Sequence, residues 1–598
     1  MSDIEEKIVM TPKCKTANST TLIVERRAVQ QTSEKMHVAG GDHTGIVINK
    51  EQVQDDKEVG PCHATVQFIV YLVESSSGRH KRESRALRSW FKAALPPDER
   101  HRKAQDFFRD LVSPPDFPRD YVGFIKKIMK LMQHEYTSLQ RLEVELTQLA
   151  EATPPPRPLS VDETFGQIII ITVKKVLELI EAAYPNPITP KDIASGHGWS
   201  EEEVAQCLQE LVQRGEVRAL EHGAFTRHHE TDTHVVKQMP TVVSSKQPSI
   251  AIITALYCEK LAVDAMVDNK ETFVRYTTVG EQHFTTRHRF SNPTDQLRPK
   301  NSLDQVSSCT YNHTEIHLGS GFLDGESNVY TLGNIGAHRV VSTKLPSLGH
   351  TREAMTAAGN TTTRLLGTFQ KVDHVLLVGV AGGVPHYTDY SRHVRLGDVV
   401  VSTPDPSNKY VYVYCEKALP NTMGGYDFET RPYKPKDSGL LELSKTLYSQ
   451  PEAPWLKYIE EGAKSLSIEI PDTETDKLYM SLGEQGMIEV AHPTPTHNNN
   501  ISECGGRVQL GPVVGVGSVS AAARAALATH CSALALAAPL HPVLDSVIGN
   551  CRDSFVCIRG ISDYQDGSRG KEWQPYASLV AAAVMKALVC AMDPPAND

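Results

Sequence analysis

From about residue 248 onward the chain alternates apolar, β-rich runs with helical ones, and this alternation constrains the fold more than any other feature. IAIITA is followed by YCEKLAVDAMV, and VYTLGNIGAHRVVSTKL by TREAMTAAGNTTTRLLGTF; HVLLVGVAGGVP, GDVVVST, SFVCIRGISD and an Ala-rich helix complete the series. Strand, helix, strand, helix predicts an α/β domain with a largely parallel central sheet, whose ligands collect at the carboxyl ends of the strands. Three loops fall at such ends. Glu259 stands just past IAIITA, the Gly-rich turn GVAGGV occupies residues 379–384, and Asp563 ends SFVCIRGIS.

A chain of 598 residues is too long for one core, and its 36 Pro leave room for polar linkers between several folded units. Residues 1–60 are polar and lack a sustained period of 2 or 3.6, which predicts a disordered arm. Over 63–152, the apolar ATVQFIVYLV precedes three helical patterns, RESRALRSWFKAAL, DERHRKAQDFFRDLV and YVGFIKKIMKLMQHEYTSLQRLEVELTQLA, so a small, basic, mostly helical domain is expected. Residues 79–130 hold 14 Lys or Arg against 7 Asp or Glu. That excess suits a nucleic acid or an acidic partner, but more simply it is a solvated face.

Residues 161–230 carry three helical patterns and a two-strand wing. ITVKKVLELIEAAYPN aligns Val173, Val176, Leu177 and Ile180; TPKDIASGHG is short; SEEEVAQCLQELVQRG has Ser200 and Glu203 at capping-box positions. EVRALEHGAFTRH then turns near Gly223, and the whole resembles a winged helix. The third helix opens on Glu201, Glu202 and Glu203, which would face phosphates unfavourably, although Arg214, Arg218 and Arg227 could touch a backbone. A protein-interaction or spacer module is the stronger expectation.

A polar insertion is expected at about 282–326, between two Gly-Glu pairs. His492, His497 and Cys504 could be taken for metal ligands, but the Pro and Asn around them favour a loop. The eleven cysteines are scattered without a CxxC pair, which argues for reduced thiols in a cytoplasmic or nuclear setting. LVAAAVMKALVCAM is 14 residues long and carries Lys586, too short to span a bilayer.

The pieces IAIITALYCEKLAV, LLVGVAGGV, RLGDVVVS and RGISDYQDG, with EWQPYASLVAAAVMKAL downstream, together resemble the nucleoside phosphorylase superfamily. The likeness is to its 5'-methylthioadenosine/S-adenosylhomocysteine nucleosidase branch and runs over about 248–592. It implies a three-layer α/β domain, a purine nucleoside as ligand, a homodimer, and no cofactor or metal. It also implies cleavage of the N-glycosidic bond through an oxocarbenium-like transition state. Carried over, Asp563 is the acid that protonates the leaving base, with its pKa raised by burial, and Glu259 is the base for water. Ala381, Gly382, Gly383 and Ser562 would contact the nucleoside, while Asp566, followed by Gly567, reads as a turn former. Phosphorylases hold their anion with Arg and backbone donors; spacing alone assigns no Arg to that role, so hydrolysis is the expected reaction.

The family also places a Met-Glu pair upstream of its Ser-Asp, beside the sugar. Here the stretch reads CSALALAAPLHPVLDSVIGN, with Ala537, Ala538, Pro539 and Leu540 where the pair should fall. Asp545 lies further on, and His541 would repel a cationic transition state. A lost carboxylate of this kind is worth about 3 kcal/mol, roughly a hundredfold in rate. Two functions therefore compete: a nucleosidase-like hydrolase, and a non-catalytic nucleoside-binding or scaffolding module beside a winged helix. Action on DNA is the third.

Overall fold

A computed structural model of the chain describes residues 6–28, 36–38, 46–49, 60–73, 80–114, 117–118, 120–150, 170–220, 223–228, 233–240, 242–243, 246–276, 327–347, 349, 351–404, 410–422, 424–450, 452–482, 487–494, 506–517, 519–564 and 571–595. The proposed insertion at 282–326, and Asp566, His497 and Cys504, lie outside the described residues.

The N-terminal region corrects two expectations. In place of a disordered arm, Glu6–Lys15 and Ser19–Ala28 pair antiparallel and bury Ile8, Val9, Leu22, Ile23 and Val24. In place of a mostly helical unit, 63–152 contributes the strands Ala64–Val73, His80–Phe91 and Leu139–Leu149 to the same nine-stranded sheet. Pro97–Val112 and Tyr121–His134 are the helices that form.

RESRALRSWF is misread from sequence because a charged residue occupies an inward strand position. Arg85 is buried, ion-paired to Glu83 at 2.7 Å, with its guanidinium 4.2 Å from the Phe124 ring. Arg88 bridges Glu143 and Glu145 across the strands at 2.7 and 2.8 Å, and Lys13 reaches Glu143 at 2.8 Å. Part of the basic excess is thus spent inside the sheet. The hairpin Leu478–Ser481 and Met487–Val490 comes from the C-terminal half yet forms one edge of this sheet, pairing Ile488 with Val70. One hydrophobic cluster runs through both regions, from Ile8 to Val589.

The winged-helix reading agrees with the elements seen. Val173–Ala183, Pro190–His197 and Glu201–Gln213 enclose their own core of Val176, Ile180, Ile193, Val204, Leu208 and Leu211. Thr189 and Asp192 form a capping box at the second helix. Ser200 does not form the expected one with Glu203, because its hydroxyl donates to Glu202 at 2.8 Å. Val217–Ala219 and Phe225–Arg227 are the wing, and Ile188 forms an isolated antiparallel bridge to Phe225.

The C-terminal half is built on a mixed thirteen-stranded sheet, less uniformly parallel than expected. At its centre Ile250–Thr254 runs parallel to His338–Lys344 on one side and to His374–Gly383 on the other. Ser554–Tyr564 lies parallel to the far edge of His374–Gly383. The helix Gln574–Cys590 packs on these last two strands and against Tyr257–Ala265 and Trp455–Leu466. Gly560 permits its approach: a Cβ there would lie 2.0 Å from the Ala577 carbonyl oxygen. Lys571–Cys590 is the one helical stretch among the described residues long and apolar enough to cross a membrane, with mean hydropathy 1.2, but 78% of it is buried as core.

Candidate active site

The Gly-rich segment read as a turn is the end of a strand. His374–Gly383 keeps Ile250–Thr254 as its parallel neighbour only as far as Leu377. From Gly382 the same edge is taken by Ala535–Ala537, running antiparallel, with Gly382 opposite Leu536. Between Val378 and Ala381 the strand therefore changes neighbours. This change lies at the carboxyl end of the strand, the usual side for a ligand in α/β folds.

Glu259 stands at this change of neighbours. It is the third residue of the helix Tyr257–Ala265 and its side chain folds back on the helix start. Oε2 accepts from the N–H groups of Ala255 at 2.7 Å and Leu256 at 2.8 Å, and Oε1 accepts from Val380 N–H at 2.8 Å. Three of a carboxylate's roughly four acceptor positions are thus occupied by backbone, and the residue is 2% exposed. Glu259 clamps the first strand to the Gly-rich strand, and one lone pair of Oε1 remains for anything else.

Arg559 faces the same corner, and sequence reasoning did not find it. It lies opposite Gly379 in the register of the two strands. A Cβ on Gly379 would stand 2.4 Å from Glu259 Oε1 and 2.5 Å from Arg559 Nη1, so only glycine leaves room for both. The arginine is 4% exposed, its Nε has no hydrogen-bond partner, and among the described residues its side chain makes no ion pair. A buried, unpaired guanidinium is costly in a folded protein. The clue available in the sequence was an Arg within an otherwise apolar strand, SFVCIRGIS.

Asp563 lies four residues along the same strand, half-buried and opposite Gly382 after a bulge between Ala381 and Gly382. Ser562 is buried, and its hydroxyl is 3.3 Å from Asp563 Oδ2. Ala381 and Gly383 are buried in the ladder, Gly383 against Ile561 and Val394. The fold thus brings Glu259, Ala381, Gly382, Gly383, Ser562 and Asp563 to one end of the sheet.

No carboxylate comes from the segment at 537–540. Ala537 ends a strand, Leu540 donates its N–H to the Tyr412 hydroxyl at 2.8 Å, and His541 stacks on Tyr414 with ring centroids 3.7 Å apart. Asp545 pairs with Arg431 at 2.9 Å and with the Tyr433 hydroxyl at 2.8 Å. His492, considered above as a ligand, is hydrogen-bonded to His393 at 2.9 Å.

The winged helix is docked beside this site. Lys344, buried at the end of its strand, donates to the carbonyls of Ala182 at 3.2 Å, Tyr184 at 2.5 Å and Leu345 at 3.0 Å. Three acceptors match three ammonium donors, and two of them close the C-terminus of the helix Val173–Ala183, where a cation is favoured. Burial pulls the Lys344 ammonium down to about 7, against the attraction of Glu259. Tyr184 packs edge-on against Tyr257 at 5.5 Å, and the Arg227 guanidinium lies 5.3 Å from the Tyr257 ring. Lys571 pairs with Glu178 at 2.6 Å. Arg227 also pairs with Glu181 and Arg214 with Glu210, whereas Glu201 to Glu203 are exposed.

The chain is 29% identical over 283 residues to a nucleotide-binding leucine-rich repeat (NLR)-like protein of Hyaloscypha variabilis, a match that covers 45% of this chain and 26% of that one. The chain thus spans about a quarter of the length of this curated relative. Among solved structures it is similar to the 5'-methylthioadenosine/S-adenosylhomocysteine nucleosidase of S. pneumoniae, at 15% identity over 57% of this chain and 99% of that one, with a TM-score of 0.31. It is also similar to the futalosine hydrolase of Helicobacter pylori, at 14% identity over 58% and 99%, with a TM-score of 0.29. A family model, the winged helix-turn-helix domain, matches residues 162–229, where the three helices and the wing lie.

Proposed function

We propose that the C-terminal half is a three-layer, nucleosidase-like domain that binds a purine nucleoside or a 5'-thioadenosine-type nucleoside at the sheet switch and hydrolyses its N-glycosidic bond. The observation that carries this reading is that Glu259 and Asp563 meet at one end of the sheet on the Gly-rich strand, Glu259 through Val380 and Asp563 opposite Gly382.

In this reading the base lies toward Asp563 and the sugar toward Gly379. Water held by the remaining lone pair of Glu259 Oε1 attacks C1' as the C1'–N9 bond breaks. The bonding electron pair leaves with the purine, which takes a proton from the Asp563 carboxyl; the water proton passes to Glu259. Free base and sugar result. Without a sugar-side carboxylate at 537–540, the rate falls by roughly a hundredfold relative to a site that has one.

That same absence favours a second reading, a nucleoside-binding scaffold without turnover. Base release from several purine nucleosides, against an Asp563→Asn control and with and without phosphate, separates the two. Release above the control that is independent of phosphate supports hydrolysis; release that requires phosphate makes Arg559 a phosphate site and the reaction phosphorolysis. No release, with a thermal shift of about 2.7 kcal/mol at a hundred times the dissociation constant, leaves the scaffold. For the winged helix we propose a protein-contact role, since Arg214 and Arg227 are engaged within the chain and the third helix presents carboxylates. Salt-dependent binding of the full chain to duplex DNA would overturn that assignment.

A further inference from the structure

Ile561 and Tyr564, on either side of Asp563 in the strand, are held by groups far away in sequence. On one side, Ile561 donates its N–H to the Asp398 carbonyl at 2.8 Å and accepts from Gly397 N–H at 2.8 Å. On the other, Tyr564 is buried and its hydroxyl donates to Asp476 Oδ1 at 2.5 Å. Successive strand residues point to opposite faces, so fixing the Tyr564 ring on one face directs Asp563 to the other.

Asp476 is itself locked. Its Oδ2 accepts from Arg395 Nε at 2.8 Å, and its backbone carbonyl lies 2.8 Å from His492 Nε2. The hydrogen-bond directions around it are determined by elimination. His393 Nδ1 accepts from the His386 N–H at 3.2 Å, so its Nε2 carries the proton and donates to His492 Nδ1 at 2.9 Å. His492 Nε2 must then be protonated and donate to Asp476. Asp398 accepts from Arg395 N–H at 2.9 Å and from Arg507 at 3.3 Å. Two carboxylates and two guanidiniums balance, with both imidazoles neutral. Burial and the adjoining Asp476 hold the Tyr564 phenol well above its ordinary range, so it remains a donor.

We propose that Tyr564 and Asp476 are positioning residues for Asp563, and that Asp476, two residues before Leu478–Ser481, ties the acid to the edge of the N-terminal sheet. The inference rests on the reading of Asp563 as the leaving-group acid. It gives the hairpin that crosses between the two sheets a function: the N-terminal region becomes part of the frame that aims the acid.

The test uses the full chain and the variants Tyr564→Phe, which removes one hydroxyl, and Asp476→Asn. Difference infrared spectra through a pH titration follow the carboxylic-acid C=O band assigned to Asp563 by its loss in Asp563→Asn. In both variants the pH at half loss of that band is expected to move, while Lys417→Gln, on a distant exposed hairpin, leaves it in place. With a nucleoside that releases base, kcat is expected to fall by roughly tenfold or more with KM nearly unchanged. A band midpoint and a kcat both equal to wild type in Tyr564→Phe overturn the proposal. If the wild-type chain releases no base, the nucleosidase reading fails and the band midpoint alone decides the positioning. If no band belongs to Asp563, both fall.

Discussion

Glu259 and Val380 are joined by a 2.8 Å hydrogen bond in which the backbone N–H of the Gly-rich strand donates to the carboxylate of the helix after the first strand. With the Ala255 and Leu256 N–H groups on its other oxygen, Glu259 closes the point where two parallel strands part.

Glu259→Ala should therefore be a stability variant before it is an activity variant. It leaves three backbone donors without their acceptor, at about 1–3 kcal/mol each, so urea unfolding should show a loss of about 3 kcal/mol or more. Glu259→Gln retains an oxygen and should lose less. A loss in Glu259→Ala below about 1 kcal/mol would show that the clamp is dispensable.

Arg559→Met should move stability and ligand response in opposite directions. Replacing a buried cation that makes no ion pair among the described residues by an apolar chain of similar length should raise the melting temperature of the unliganded protein, by the equivalent of about 1–4 kcal/mol. The thermal shift produced by a nucleoside in the wild type should be lost. A variant that is destabilised and still binds would show that Arg559 is structural.

Lys344→Met and Lys571→Gln both touch the docked winged helix, with unequal consequences. The first removes three hydrogen bonds from a buried site and leaves the carbonyls of Ala182 and Tyr184 unanswered; limited proteolysis or hydrogen exchange should then show 173–213 opening. The second breaks an ion pair whose lysine is 53% exposed, at a cost below about 1 kcal/mol. Equal protection of the winged helix in both variants would place the docking energy elsewhere.

Acid should destabilise the protein below about pH 6.5. Burial lowers His386 to about 3, holds His393 well below the usual imidazole range and lowers His492. The unfolded chain takes up these protons first, near pH 6.5, so stability falls as pH drops toward the folded values. Asp398, raised to about 6 by burial, acts in the opposite sense between about pH 4 and 6, where the folded state holds the extra proton. Among the described residues burial also lowers His63 and His374 and raises Asp106 and Glu181, so lowered imidazoles outnumber raised carboxyls and the net response to acid is a loss of stability. Thermal melts from pH 7.5 to 5 check the sign; a rise on acidification would contradict it.

The α/β half was legible because strands buried on both faces keep continuous apolar runs, as in Ile250–Thr254 and Val399–Ser402. The winged helix was legible because its helical stripes are local. The N-terminal sheet was hidden: Arg85 sits at an inward position, neutralised by Glu83 and covered by Phe124, and Arg88 answers Glu143 and Glu145 on the next strand. Charges that pair across strands erase the period of 2 on which a strand is read from sequence.

By itself the sequence determined the strand-helix alternation, the winged helix, the positions of Glu259 and Asp563 at strand ends, and the want of a Glu near residue 540, all features of local pattern. Only the tertiary structure decided that the Gly-rich segment is a strand changing neighbours, that Arg559 and Glu259 meet over Gly379, and that Asp476 holds Tyr564 from 88 residues away. These depend on the register between strands distant in sequence. Register is set by packing of the whole sheet, which no local period of residues encodes.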